Sequence, residues 1–171
     1  MFRVSTDLIN IHSDCSPTDN GWTLPPMATA CPNLSKIRSK IGLGVTIFHD
    51  ESNCVWLYNR SSSDIFVNSI TLNTLPSSGI NGTKKSNHVV KVQPGHLIKA
   101  YDYQMALSIW SSQHSIDLEL GSDGNGPSRV NLLNNGSFSF SFVKGFGNHY
   151  QRRDILECPC WLEVILDFVN K

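Results

Sequence analysis

Four basic side chains, Lys144, His149, Arg152 and Arg153, crowd one short segment that opens with Gly145 and Gly147. Arginine presents a planar fork of donors matched to carboxylate and phosphate oxygens, and lysine adds a compact charge, so such a cluster suits recognition of acidic or phosphorylated groups. The competing reading is that Arg152 and Arg153 pair with Asp154 or Glu157 on the surface, an arrangement of little energetic consequence. A second pair of cations lies far upstream. Lys36 and Lys40 stand four apart, and on a helix they share one exposed face; by composition alone they read as ordinary solvated lysines.

These side chains need elements to hold them. Phe138, Phe140 and Phe142 alternate with Ser137, Ser139 and Ser141, the period of a half-buried strand running into the basic loop. Gly145 and Gly147 allow a sharp excursion. Beyond it Cys158, Cys160, Trp161, Leu162, Val164 and Ile165 predict a closing strand, with both thiols pointing the same way and Pro159 marking a strand start or an edge. Upstream, Asn33 is expected to cap a helix whose buried side is Leu34, Ile37 and Ile41 and whose stop is Gly42. Residues 55–58 and 65–69 read as a hairpin joined by NRSSSD, Trp56 and Tyr58 facing one way and Val55 and Leu57 the other. Strands over 89–92 and 97–100 flank Pro94 and Gly95. Asp102 reads as an N-cap before Tyr103, Ala106, Leu107 and Trp110, the apolar stripe of a helix. Residues 76–88, with the solvated Lys84 and Lys85, and residues 121–136 read as polar connections.

Composition bounds the rest. A chain of 171 residues with 40% hydrophobic content fits one globular domain. Its formal net charge of +0 argues against a protein that coats nucleic acid, so no direct nucleic-acid partner is expected. No apolar run reaches the length of a bilayer span, and MFRVSTDLIN lacks the apolar core of a secretory signal; no membrane insertion is expected. The five cysteines are expected as free thiols, and the Asn-x-Ser/Thr triplets at Asn33, Asn59, Asn81 and Asn135 as chance. Cys158 and Cys160 have no second pair to complete a metal site. No Gly-rich phosphate loop, HExxH or Gly-x-Ser-x-Gly occurs, so no enzyme, metal or cofactor is expected. Residues 1–33, rich in Pro, Ser, Thr and Asp, read as an irregular extension.

Three blocks, SKIRSKIGLGV (35–45) with VWLYNRSSSDIFVNSITL (55–72), KVQPGHLIKAYDY (91–103) and SFSFVKGFGNHYQRRDILECPCWLEV (139–164), resemble the Mad-homology-2 domain of Smad signalling proteins in order and spacing. CPCWLEV looks like the inhibitory Smads. The resemblance spans residues 34–166 and implies a mainly β fold: a β-sandwich of the Smad/forkhead-associated type with short helices and loops at its ends. It places residues 34–171 in a partial Mad-homology-2 domain, with the N-terminal strands of the sandwich missing from 1–33.

The same resemblance implies partners. In inhibitory Smads the positions of Lys36, Lys40, Lys144 and Arg152 form a basic groove for the activated type I receptor serine/threonine kinase. Partner Smads, receptor-regulated or common-mediator, and transcriptional cofactors are further implied partners, with residence in cytoplasm and nucleus. Arg153 belongs to the same loop, and Gln151 and Asp154 occupy the positions that carry the receptor-subtype signal, Asp154 matching the bone-morphogenetic branch and Gln151 neither. Phe146 replaces the family's usual tryptophan, and His149 departs as well. Receptor-regulated Smads end in a Ser-x-Ser phosphorylation motif, whereas LDFVNK holds no serine, so antagonism by competition is expected. No PPxY ligase motif is present. Two alternatives stand beside it: a nuclear transcriptional corepressor partner, and a generic phosphopeptide-binding sandwich.

Overall fold

A computed structural model describes residues 8–13, 21–24, 32–72, 88–109, 111 and 136–166. The expected connections over 76–87 and 121–135, with Lys84, Lys85, Trp110, Cys15, Cys31 and the Asn33 side chain, lie outside the described residues. Among the described residues nine strands form two sheets: β1 (Leu8–His12), β2 (Gly21–Thr23), β3 (Val45–His49), β4 (Cys54–Asn59) and β7 (Leu97–Asp102) in one, β5 (Ile65–Ser69), β6 (Val90–Val92), β8 (Ser137–Phe142) and β9 (Trp161–Ile165) in the other. Strand orders are β2-β1-β3-β4-β7 and β6-β5-β8-β9. Every pairing is antiparallel except β1 with β2. This is the mainly β, two-sheet architecture expected.

The core lies between the sheets, and periodicity decides who enters it. Phe138, Phe140 and Phe142 are fully buried, while Ser137 and Ser139 sit on the partly open face. On β4 the two pairs fall on opposite faces as read, and the structure turns Val55 and Leu57 inward and leaves Trp56 and Tyr58 outward. Helix α1 (Pro32–Ile41) buries Ile37 and Ile41, with Leu34 partly covered, and ends at Gly42, whose φ of 48° is one that glycine adopts without strain.

Three expectations are corrected. Among the described residues before Leu34, β1 and β2 are strands rather than an irregular extension. They are short, and tertiary partners hold them: Ile9 pairs with Ile47 and Ile11 with Val45 across β1 and β3. Arg38 then clamps the ends of both, donating from Nη2 to Ser13 O at 2.8 Å and to Leu24 O at 2.9 Å.

Secondly, β4 and β5 are not a hairpin. NRSSSD carries the chain from one sheet to the other, and the fully buried Asn59 holds that crossing together. Its Nδ2 donates to Ser63 O at 2.9 Å and Val92 O at 3.0 Å, and its Oδ1 accepts from Ser61 N and Ser61 Oγ. Within this fold Asn59 is therefore closed to glycosylation. Thirdly, Leu107 does not join the buried stripe of the helical residues 103–109; Ala106 does, and Leu107 stays exposed.

Asp102 caps that helical segment as expected, its Oδ1 accepting from Met105 N at 3.0 Å while Oδ2 accepts from Lys99 Nζ at 3.0 Å. The Met105 amide first, and Lys99 second, hold its carboxyl below the usual value of 3.8. A carboxyl depressed in the folded state adds stability above its unfolded value and loses it as pH falls. Asp102→Ala should therefore cost about 1 kcal/mol at pH 7. In urea titrations the gap from the parent chain should narrow steadily below the ordinary carboxylate value of 3.8; a gap independent of pH would show that the charge contributes nothing.

Candidate functional site

Helix α1 presents Lys36 and Lys40 on its exposed face, opposite Ile37 and Ile41. Arg38, between them, turns the other way into its clamp on β1 and β2, so it fixes the helix rather than extending the cationic surface. Lys40 also stands in the last turn, where a cation complements the helix dipole.

The end of α1 is stitched to the late loop by the crossing segment. Ser62 donates twice to Lys40 O, from its amide at 3.2 Å and its hydroxyl at 2.9 Å. Two residues on, Asp64 O accepts from Val143 N at 3.0 Å. Val143 adopts φ 65°, costly for a β-branched residue, and Lys144 follows it with an exposed side chain. The lysines of α1 and the first cation of the loop thus come from segments joined by backbone hydrogen bonds.

The loop is packed rather than loose. Phe146 is buried against Phe66 and Cys158, with Tyr150, Ile155 and Trp161 around them, a small core outside the main one. Tyr150 meets Phe66 edge-on at 5.2 Å. Gly145 serves by close approach, since a Cβ there would sit 2.4 Å from the Tyr150 ring, whereas Gly147, at φ 94°, serves by conformation. Gly147 N donates to Arg152 O at 2.8 Å and ties the two arms. Cys158 Sγ donates to Lys144 O at 3.4 Å, so the backbone that carries the Lys144 side chain is tied to the buried core of the loop.

Gln151, Arg153 and Asp154 are exposed, and Arg152 is half-buried. Asp154 has a local task, its Oδ1 accepting from Leu156 N at 2.8 Å as N-cap of the 3-10 turn Ile155–Glu157. Among the described residues the ion pairs are Lys91–Asp64 at 2.9 Å and Lys99–Asp102 at 3.0 Å. Lys36, Lys40, Lys144, Arg152 and Arg153 enter neither. The surface pairing of Arg152 and Arg153 with Asp154 or Glu157, the bland alternative, does not form. What remains is a set of cations without acidic partners among the described residues, on rigid supports, able to hold an anionic segment.

The two late thiols are separated by the fold. Cys158 belongs to the loop's own core and Cys160 to the main one, which corrects the expectation that they point the same way; both precede β9, where the backbone is bent. Burial pushes the Cys160 thiol up to about 11 and raises that of Cys158. Both are protonated and inert at neutral pH. Cys54, Cys158 and Cys160 are free. Among the described residues no group of three or more His, Cys, Asp or Glu could hold a metal ion, and no helix is long and apolar enough to cross a membrane.

Three positioning features have no plain mark in the sequence: the Arg38 clamp, the buried Asn59 and the Phe66–Tyr150 contact. The near-continuous apolar run Ile65, Phe66, Val67 carried a signal for the last, because a strand buried on both faces loses alternation.

A family model described as the MH2 domain matches residues 1–167. Mothers against decapentaplegic homolog 6 of Gallus gallus is 34% identical over 97% of this chain and 34% of that protein. Mothers against decapentaplegic homolog 7 of Homo sapiens is 38% identical over 88% of this chain and 32% of that protein. Dwarfin sma-3 of Caenorhabditis elegans is 25% identical over 78% of the chain and 30% of that protein. The chain thus spans about a third of the length of these relatives. Among solved structures the interferon regulatory factor 9 IAD domain aligns at a TM-score of 0.46 and 10% identity, covering 84% of this chain and 64% of that one.

Proposed function

We propose, since the chain belongs to the MH2 domain family, that it is an inhibitory Smad-like adaptor that antagonises TGF-beta/BMP family signalling by occupying an activated type I receptor kinase or a partner Smad. One observation carries this reading: Lys36 and Lys40 on α1 and Lys144, Arg152 and Arg153 on the late loop lack acidic partners among the described residues, and the Ser62–Asp64 bridge joins their supports. An activated receptor kinase offers phosphorylated, acidic surface, the complement of such a groove. The likeness of CPCWLEV to inhibitory Smads supports blockade rather than activation. Receptor encounter at the membrane face and partner Smads in the nucleus require residence in cytoplasm and nucleus.

The test is titration calorimetry against phosphorylated and unphosphorylated type I receptor kinase domains. The chain should prefer the phosphorylated domain. Reversing two charges, Lys144→Glu with Arg152→Glu, should weaken binding by about 100-fold or more, since repulsion is added to the lost attraction. Full binding by the double variant, with its melting transition unchanged, would remove the groove assignment.

A further inference from the structure

Leu156 is 69% exposed, the most exposed large apolar side chain among the described residues. Isolated exposed leucines are ordinary. This one is placed differently, in a loop whose neighbouring apolar groups Phe146, Ile155 and Cys158 turn into the loop's own core. Its backbone is immobilised on both sides: Leu156 N donates to Asp154 Oδ1 at 2.8 Å, Glu157 N to Asp154 O at 3.2 Å, and Cys158 N to Ile155 O at 2.8 Å. Arg152 and Arg153 stand a few residues before it, neither in an ion pair among the described residues. The exposed Asp154 and Glu157 flank Leu156 in the chain, and the two arginines precede them. The same loop therefore carries a rigid apolar side chain and cations outside ion pairs, two parts of which one can select an anion and the other an apolar side chain.

We propose that Leu156 is the apolar anchor of the cationic surface, so that the segment recognised carries an aliphatic or aromatic side chain at a fixed offset from its phosphorylated or acidic residue. The inference rests on the groove reading above and adds to it a specificity that charge cannot supply. Coulomb attraction tells an anionic segment from a neutral one but weakly separates one anionic segment from another. Covering Leu156 adds apolar burial only for a partner shaped to reach it.

The experiment probes a positional-scanning library of peptides with one fixed phosphoserine, using the whole chain, Leu156→Ser and Ile165→Thr. Ile165 is the control, 52% exposed but paired with Ser137 at the end of β8 remote from the loop. The parent chain should favour apolar residues at one offset by about tenfold over serine there, the size expected from burying most of a leucine. Leu156→Ser should flatten that preference to within about twofold and keep the phosphoserine requirement; Ile165→Thr should change neither. A phosphoserine requirement without apolar selection, or selection that survives Leu156→Ser, overturns the anchor and leaves the groove standing. Retention of no phosphopeptide removes the groove and the anchor with it.

Discussion

Phe140→Ala should lower the unfolding free energy by about 3–5 kcal/mol, the usual cost of emptying a phenylalanine site in a packed core. Phe140 is 0% exposed and pairs with Val67 on one side and Leu162 on the other, so both flanking strands of its sheet lose a packing partner. Its ring also stands edge-on to Phe142 at 5.4 Å and stacks with Phe138 at 6.4 Å. Packed interiors relax only partly around such a void, so most of the lost contact is not recovered. Against a net stability of about 5–15 kcal/mol for a domain, one such loss is a large fraction of the whole. Urea denaturation followed by fluorescence measures it, with Ser139→Ala as the comparison on the open face, expected within about 0.5 kcal/mol of the parent. If the two variants unfold at similar urea concentrations, the alternation read along β8 does not mark the core.

That alternation was legible because serine and phenylalanine differ so strongly at adjacent positions. Along β4 the split into two faces was legible but not which one is buried, since Val55, Trp56, Leu57 and Tyr58 are all apolar or aromatic. Asp102 was legible because its carboxylate sits where a cap must be. Turn chemistry was less informative. NRSSSD has the composition of a hairpin loop, yet it crosses between sheets, and turn-forming residues serve either path equally well. What decides between them is Asn59, whose side chain reaches Val92 O, a partner far away in sequence that no local pattern reveals. The first two strands failed to register for a related reason. Five- and three-residue strands carry too few periods to stand out, and they persist because Arg38 and β3 hold them.

The candidate site divides along the same line. Charge was readable residue by residue: Lys36, Lys40, Lys144, Arg152 and Arg153 are exposed or half-exposed cations outside every ion pair of the described residues. Their connection was not, because it runs through the carbonyls of Lys40 and Asp64, and backbone acceptors have no residue signature. Nor was the rigidity of the loop. Two glycines suggest freedom, but Gly145 is small so that Tyr150 can pack against it, and the loop is thereby closed down rather than opened.

Gly44→Ala should be nearly as damaging as emptying the core, at about 3 kcal/mol or more, and for a reason that bears on the site. Gly44 follows α1 at φ 64°, a region that costs an L-residue about 1 kcal/mol by itself. The greater penalty is steric. A Cβ at this position would lie 1.7 Å from Ile11 O and 2.8 Å from Ile11 C, backbone atoms of β1 that have no rotamer to change. Either β1 leaves β3 or the turn after α1 shifts, and Arg60 N, which donates to Gly44 O at 2.8 Å, moves with it. That displacement passes directly to Ser62 and to the end of α1 that bears Lys40. Gly42→Ala isolates the clash, because Gly42 has φ 48° but nothing within 4 Å of its added carbon, so only the conformational cost of about 1 kcal/mol applies. Chemical denaturation of both variants, with receptor-domain affinity measured where they remain folded, should show Gly44→Ala losing stability and affinity together and Gly42→Ala losing little of either. Equal losses at the two glycines would mean that β1 does not press on the turn, and the route from the first strand to the cationic face would have to be abandoned.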